Sequence, residues 1–171
     1  RARMLHKAAG EIRNRGSFPE TAEELRAISG IGPYTAGAVA SIAYQERAAL
    51  VDGNVARVLS RLQAIQEPKQ QAADAPGHWS LAQQIVESGS PRVLAQALME
   101  LGATVCMPQR PVCLVCPIKA HCQAQRDGEP ERYPPRKESR AVPVVRVATL
   151  LLLRLGARGT EVLLEIGRAS C

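Results

Sequence analysis

The chain has 171 residues, 46% of them hydrophobic but only 3% aromatic, and its 22 Lys and Arg against 16 Asp and Glu give a formal charge of +6. That is enough for one domain and part of another, with cores built from Ala, Leu, Ile and Val rather than from rings. The longest apolar run, which begins at Val147, is far too short to cross a bilayer, so no membrane span is expected, and the basic balance favours phosphate polymers or anionic membrane surfaces as partners.

In chain order, Met4, Leu5, Ala8, Ala9 and Ile12 form an apolar stripe at helical spacing, set among basic residues. Thr21 and Glu24 stand at capping-box spacing and open a short helix that should reach about Ile28. Gly30-Ile31-Gly32-Pro33 follows. Two glycines supply a tight turn, and proline is pre-set for the first position of a helix, expected here from Pro33 to about Tyr44. Helix, turn and helix make a hairpin unit. A connection over residues 45–52 leads to an amphipathic helix beginning at Gly53, with Val55, Val58, Leu59 and Leu62 inward. Two more helices are expected in "HWSLAQQIVES" and "PRVLAQALMELGA".

After Cys122 the composition turns charged and proline-rich, which reads as a linker over 123–143. Residues 144–171 read as a β-hairpin with a Gly-containing turn. The domain plan is therefore a partial hairpin core over 1–66, a helical cysteine-bearing domain over 67–122, the linker, and the opening of a further domain. A start at Arg1 and a stop at Cys171 lead us to expect a piece of a longer protein.

Three constellations carry chemistry. At the hairpin, backbone amides of Ile31, Gly32 and Tyr34 at a helix N-terminus favour an anion, and in a basic chain that anion is a nucleic-acid phosphate. The competing reading is a plain turn. Gly30 and Thr35 flank those amides. In "VDGNV", Asp52 is either a helix N-cap or a carboxylate held against a developing cation, such as the oxocarbenium ion formed when an N-glycosidic bond breaks. Finally, Cys106, Cys113, Cys116 and Cys122 fall within 17 residues in a C-x6-C-x2-C-x5-C array. Such crowding argues for a local metal site, and four thiolates suit either zinc or a four-iron cluster. Arg110 and Lys119 lie on the same loop, where they would touch phosphate or offset the charge of the site. His121 is an alternative ligand.

The order of hairpin, Asp and four cysteines resembles the helix-hairpin-helix DNA glycosylases with an iron–sulfur loop, and among them the adenine glycosylases of the MutY type. The resemblance rests on "SGIGPYTAGA", "VDGNVARVLSRL", "QALMELGATVC" and the cysteine array, and covers residues 1–122. It implies an all-α glycosylase fold with a [4Fe–4S] cluster on the four cysteines, followed by the first hairpin of a Nudix-like α/β domain. It also implies a monomeric base excision repair enzyme that hydrolyses the N-glycosidic bond of adenine opposite 8-oxoguanine or guanine in double-stranded DNA. The compartment would be the bacterial cytoplasm and nucleoid, or the eukaryotic nucleus and mitochondrion.

Residue by residue, Asp52 matches the catalytic aspartate, Asn54 an active-site asparagine and Tyr34 a tyrosine close to the reacting sugar. The endonuclease III type carries a lysine where this chain has Tyr34, and no lysine occurs from Ala8 to Pro68. A phenol cannot form the Schiff base needed to cut the strand, so monofunctional chemistry is expected. The family's proton-donating glutamate would lie ahead of Arg1, so weak excision by this chain alone is expected. The alternatives are another mismatch or oxidised-pyrimidine glycosylase on the same scaffold, or a non-catalytic, metal-stabilised DNA-binding module.

Overall fold

The computed structural model describes residues 2–66 and 75–135, together with the backbone of 153–156 and 159–162. Residues 1–138 form one compact unit and 139–171 a second.

In the first unit, α1 (Ala2–Arg15) is followed by α2 (Ala22–Arg26) and α3 (Pro33–Tyr44). Thr21 caps α2 by accepting from the Glu24 amide at 3.2 Å. The return arm of the capping box lands one residue early, the Glu24 carboxylate accepting from the Glu20 amide rather than from Thr21, and the same carboxylate pairs with Arg15. Ala36 and Ala40 of α3 close a small core with Leu25 and Ala48.

Next comes α4 (Gly53–Gln63), the axis of the unit, in which every residue from Val55 to Arg61 is buried. Helices α5 (Pro76–Glu87) and α6 (Pro91–Glu100) pack on it, and Leu50, Val51, Val55, Val58 and Leu59 meet Ala82, Ala95 and Leu98 in the main core. Burial of each such Val or Leu contributes roughly 1.5–3 kcal/mol. At its end α6 widens into a π-helical turn, Leu101–Val105, which delivers the chain to Cys106. Short 3₁₀ turns at Cys113–Val115 and Lys119–His121 then lead into α7 (Gln123–Arg126).

Two expectations change. The apolar stripe of α1 is largely exposed, with Leu5 74% and Met4 48% accessible and only Ala8 buried. The described anchors of α1 are polar instead: Glu11 accepts from the Ser29 amide at 2.7 Å, and Arg15 pairs with Glu24. The segment after Cys122 is also no bare linker at its start. Ala124 and Tyr133 are buried, and the Tyr133 carbonyl accepts from buried Arg61 at 3.0 Å, which ties this segment to α4.

The second unit contains β1 (Leu153–Gly156) and β2 (Gly159–Val162), paired antiparallel with Leu153 opposite Val162 and Gly156 opposite Gly159. This matches the strands read from the sequence over part of 144–171. The rest of that stretch and residues 136–143 of the expected linker lie outside the described residues. No helix among the described residues is long and apolar enough to cross a membrane.

Candidate active site and cysteine cavity

The hairpin differs in detail from its sequence reading. Gly30 has φ +83°, a conformation that side chains with a Cβ resist, and this is where the turn needs glycine. Gly32 is ordinary extended backbone (φ −86°, ψ 174°) at the N-cap of α3, and a Cβ there would meet open space. The Ile31 amide is not available to an anion: it donates to the Ile28 carbonyl at 3.1 Å. The amides that a helix start leaves without intrahelical acceptors are those preceding Ala36, whose N–H makes the first helical bond, to Gly32 O at 2.9 Å. Thr35 is exposed in that first turn.

This geometry sharpens a test. Gly32→Asp fits the space and places a favourable capping residue at the N-cap, so α3 should keep its stability. Its carboxylate nevertheless stands where a phosphate would sit. Duplex affinity, measured by fluorescence anisotropy, should fall and lose part of its salt dependence while helical content is kept. Unchanged affinity would reduce the hairpin to a turn.

Asp52 is the N-cap of α4, its Oδ1 accepting from the amides of Asn54 (2.9 Å) and Val55 (2.7 Å). The other oxygen, Oδ2, has a long contact of 3.4 Å from Asn54 Nδ2. The two readings of Asp52 are thus compatible: one oxygen caps, and the residue also lines a cleft of about 510 Å³. Tyr34 from the first turn of α3 and Asn54 share that cleft, and so do Gln96, Met99 and Glu100 of α6. The Tyr34 hydroxyl donates to Met99 Sδ at 3.4 Å. Burial pushes the Tyr34 phenol pKa up, and the Asp52 charge adds to it. Gln96, Met99 and Glu100 were missed in the sequence. Their i, i+3, i+4 spacing was visible, but nothing local says which way α6 faces.

Two arginines were also missed. Arg57 and Arg61 are 3% and 2% exposed, one turn apart on the buried part of α4. Arg57 donates through Nε to Cys106 O (2.7 Å) and through Nη2 to Gly102 O (2.6 Å) and Asn54 Oδ1 (3.0 Å), so one guanidinium joins the cleft to the cysteine loop. Burial lowers its pKa and Arg61 adds to that, while Cys106 and Asp52 pull the other way. Arg61 holds Met107 O (2.7 Å) and Pro108 O (3.1 Å), and donates to Cys106 Sγ at 3.3 Å.

Cys106, Cys113, Cys116 and Cys122 are free, half-buried and line one small cavity of about 30 Å³. Among the described residues no group of three or more His, Cys, Asp or Glu side chains is placed to hold a metal ion. Burial raises the Cys113 pKa, the neighbouring Cys106 and Cys122 raise it further, and Arg61 opposes them. Lys119 borders the cavity, but its Nζ donates to Leu114 O at 2.9 Å. Arg110 is exposed, with φ +48° and its amide donating to Glu131 at 2.8 Å. His121 lines a separate apolar groove with Leu62 and Leu98.

Residues 15–42 match the helix-hairpin-helix motif. The chain is 45% identical over 135 residues to the human adenine DNA glycosylase, covering 77% of this chain and 25% of that protein. It is 44% identical to the adenine DNA glycosylase of Arabidopsis thaliana over 77% of this chain and 21% of that one. A solved structure of a thermostable thymine-DNA glycosylase superposes with a TM-score of 0.65 at 28% identity, over 74% of this chain and 58% of that one. The chain belongs with the helix-hairpin-helix DNA glycosylases. It spans about a quarter of the length of the human and plant relatives. The hairpin and Tyr34 fall within the matched motif, and Asp52 lies beyond it.

Proposed function

We propose that this chain is the part of a monofunctional adenine DNA glycosylase that holds the sugar-facing side of the active site, acting on adenine opposite 8-oxoguanine or guanine. The observation that supports this most is the shared cleft of Tyr34, Asp52 and Asn54 at the start of the helix that leaves the hairpin. A duplex gripped at the hairpin would present a flipped nucleotide to this cleft. Breaking the N-glycosidic bond leaves positive charge on the sugar, and the Asp52 carboxylate stabilises that charge through Oδ2, since Oδ1 is occupied by two amides. Asn54, fixed by Arg57, holds Asp52 on its other side. No lysine lines the cleft among the described residues, and Tyr34 offers no amine for a Schiff base. The higher identity to adenine glycosylases favours adenine over thymine as the base released. The β1–β2 pair is read as the opening of a Nudix-like domain.

Single-turnover assays of the whole protein carrying these residues should release adenine from A:8-oxoguanine and A:G duplexes and should leave T:G intact. Borohydride should trap no covalent adduct. Thymine release, or an efficient trapped adduct, would overturn the reading.

The reading of the cysteine array is supported by four half-buried thiols that line one cavity, a donor set that suits an iron–sulfur cluster. Cys106, Cys113, Cys116 and Cys122 would hold a [4Fe–4S] cluster, with Arg61 offsetting its negative charge. When bound, such a cluster supplies a rigid cross-link for the loop and a redox-active centre. Anaerobically purified protein should be brown with about four irons per chain. Cys113→Ser or Cys116→Ser should lose that colour and weaken duplex binding. A colourless protein holding one zinc would end the assignment.

A further inference from the structure

We propose that Met99 is a positioning residue that holds the Tyr34 hydroxyl away from Asp52, leaving the carboxylate unneutralised for the positive charge that forms on the sugar. The inference rests on the glycosylase reading for its catalytic consequence, but the positioning itself is a property of the free protein.

Both side chains pack against the main core and line the same cleft. The phenol is therefore confined, and its O–H must choose among acceptors within that small space. It chooses the thioether, at 3.4 Å. This is unusual on energetic grounds, because sulfur is a weak acceptor and a carboxylate is a strong one. Asp52 stands close enough for its charge to raise the Tyr34 pKa. Its Oδ2 also has only the long Asn54 contact, so it has lone pairs to spare. Glu100 is the other carboxylate lining the cleft, and Arg57 reaches the region through Asn54. Met99 lies on α6, which packs against α3, so its sulfur ties the Tyr34 hydroxyl to α6.

The consequence is chemical. A phenol donating to Oδ2 would spread the negative charge of Asp52 over a short charge-assisted hydrogen bond and weaken its field at the sugar.

The test replaces the sulfur while keeping the shape. Met99→Leu is close in volume and lacks the acceptor. In free protein labelled with ¹³Cζ-tyrosine, the Tyr34 resonance is assigned by its loss in Tyr34→Phe. In Met99→Leu, that resonance should shift and its titration midpoint should move to higher pH, as the phenol becomes a donor to Asp52. Met99→Gln restores an acceptor and should return the midpoint toward the parent value. In single-turnover excision, Met99→Leu should be slower by about tenfold with duplex affinity unchanged, the size expected for one charge-assisted hydrogen bond. The same substitution in a Tyr34→Phe background should cost nothing further.

An unchanged Tyr34 titration in Met99→Leu overturns the proposal. So does an equal loss of rate in the Tyr34→Phe background, because the effect would then be packing alone. If the parent releases no adenine, the glycosylase reading fails, and the resonance and its rescue by Gln still decide what Met99 does.

Discussion

Asp52→Asn should slow adenine release by on the order of a hundredfold or more while leaving the fold intact, the size typical of losing one preorganised electrostatic contact to a transition state. The substitution separates the two duties of the residue. As N-cap, Asp52 accepts from the Asn54 and Val55 amides through Oδ1, and asparagine caps a helix about as well as aspartate. The thermal midpoint should therefore barely move. As a charge facing the cleft, Asp52 has no neutral substitute. With Oδ1 kept on the two backbone amides, the new Nδ2 stands in place of Oδ2, so Asn54 Nδ2 loses its acceptor there. Duplex affinity should be kept or should rise slightly, since a negative charge has left a phosphate-binding surface. Asp52→Ala, in contrast, should lose both cap and charge, costing about 1 kcal/mol of stability in addition to the rate. Single-turnover excision, anisotropy binding and a thermal melt on the same preparations distinguish these outcomes. A parental rate in Asp52→Asn would remove the residue from the mechanism.

How much of this was legible beforehand depended on whether the information was local. The helix from Pro33 to Tyr44 matches its expected bounds, because proline at its start and the turn glycine ahead of it act within a few residues. Asp52 was placed for the same reason: capping is a contact over two or three positions. The short spacing of the cysteine array keeps its four thiols in one neighbourhood, and they line one cavity. What could not be read depended on crossings. The apolar stripe of α1 looks like any buried helix face in sequence, yet Leu5 is 74% exposed. Gln96, Met99 and Glu100 enter the cleft because of how α6 crosses α4, which no single segment encodes. Arg57 and Arg61 look like the polar side of an amphipathic helix. They are buried because the carbonyls of a turn 45 to 49 residues away come to meet them. The Ile31 amide was assigned to a ligand although a turn carbonyl three residues back already held it.

Gly37→Ala should be among the most disruptive single substitutions in the helical unit, although it exchanges a poor helix former for the best one. An added Cβ at position 37 would lie 1.9 Å from the Ala49 carbonyl oxygen and 2.9 Å from its carbon. These are backbone atoms, so no rotamer change relieves the overlap. The strand of chain from Arg47 to Val51 would have to withdraw, and it is held in place by Gln83, whose side chain accepts from the Ala49 amide at 3.0 Å and donates to the Arg47 carbonyl at 2.7 Å. Leu50 and Val51 sit in the main core directly behind it. Helix propensity favours alanine over glycine by about 1 kcal/mol, whereas forcing atoms into a packed interior commonly costs about 1–3 kcal/mol and more when backbone must move. Overpacking wins, and the thermal midpoint should fall. Function should suffer beyond stability, because the displaced strand ends at Asp52, two residues past Leu50. At a temperature where the variant is still folded by circular dichroism, single-turnover excision should remain depressed, while hairpin-dependent duplex binding should be closer to the parent. Gly10→Ala, inside α1, supplies the control: the added methyl meets open space there and alanine is the better helix former, so neither stability nor rate should fall. If Gly37→Ala melts at the parental temperature and turns over at the parental rate, α3 and the Arg47–Val51 strand are not packed as closely as the 1.9 Å overlap requires.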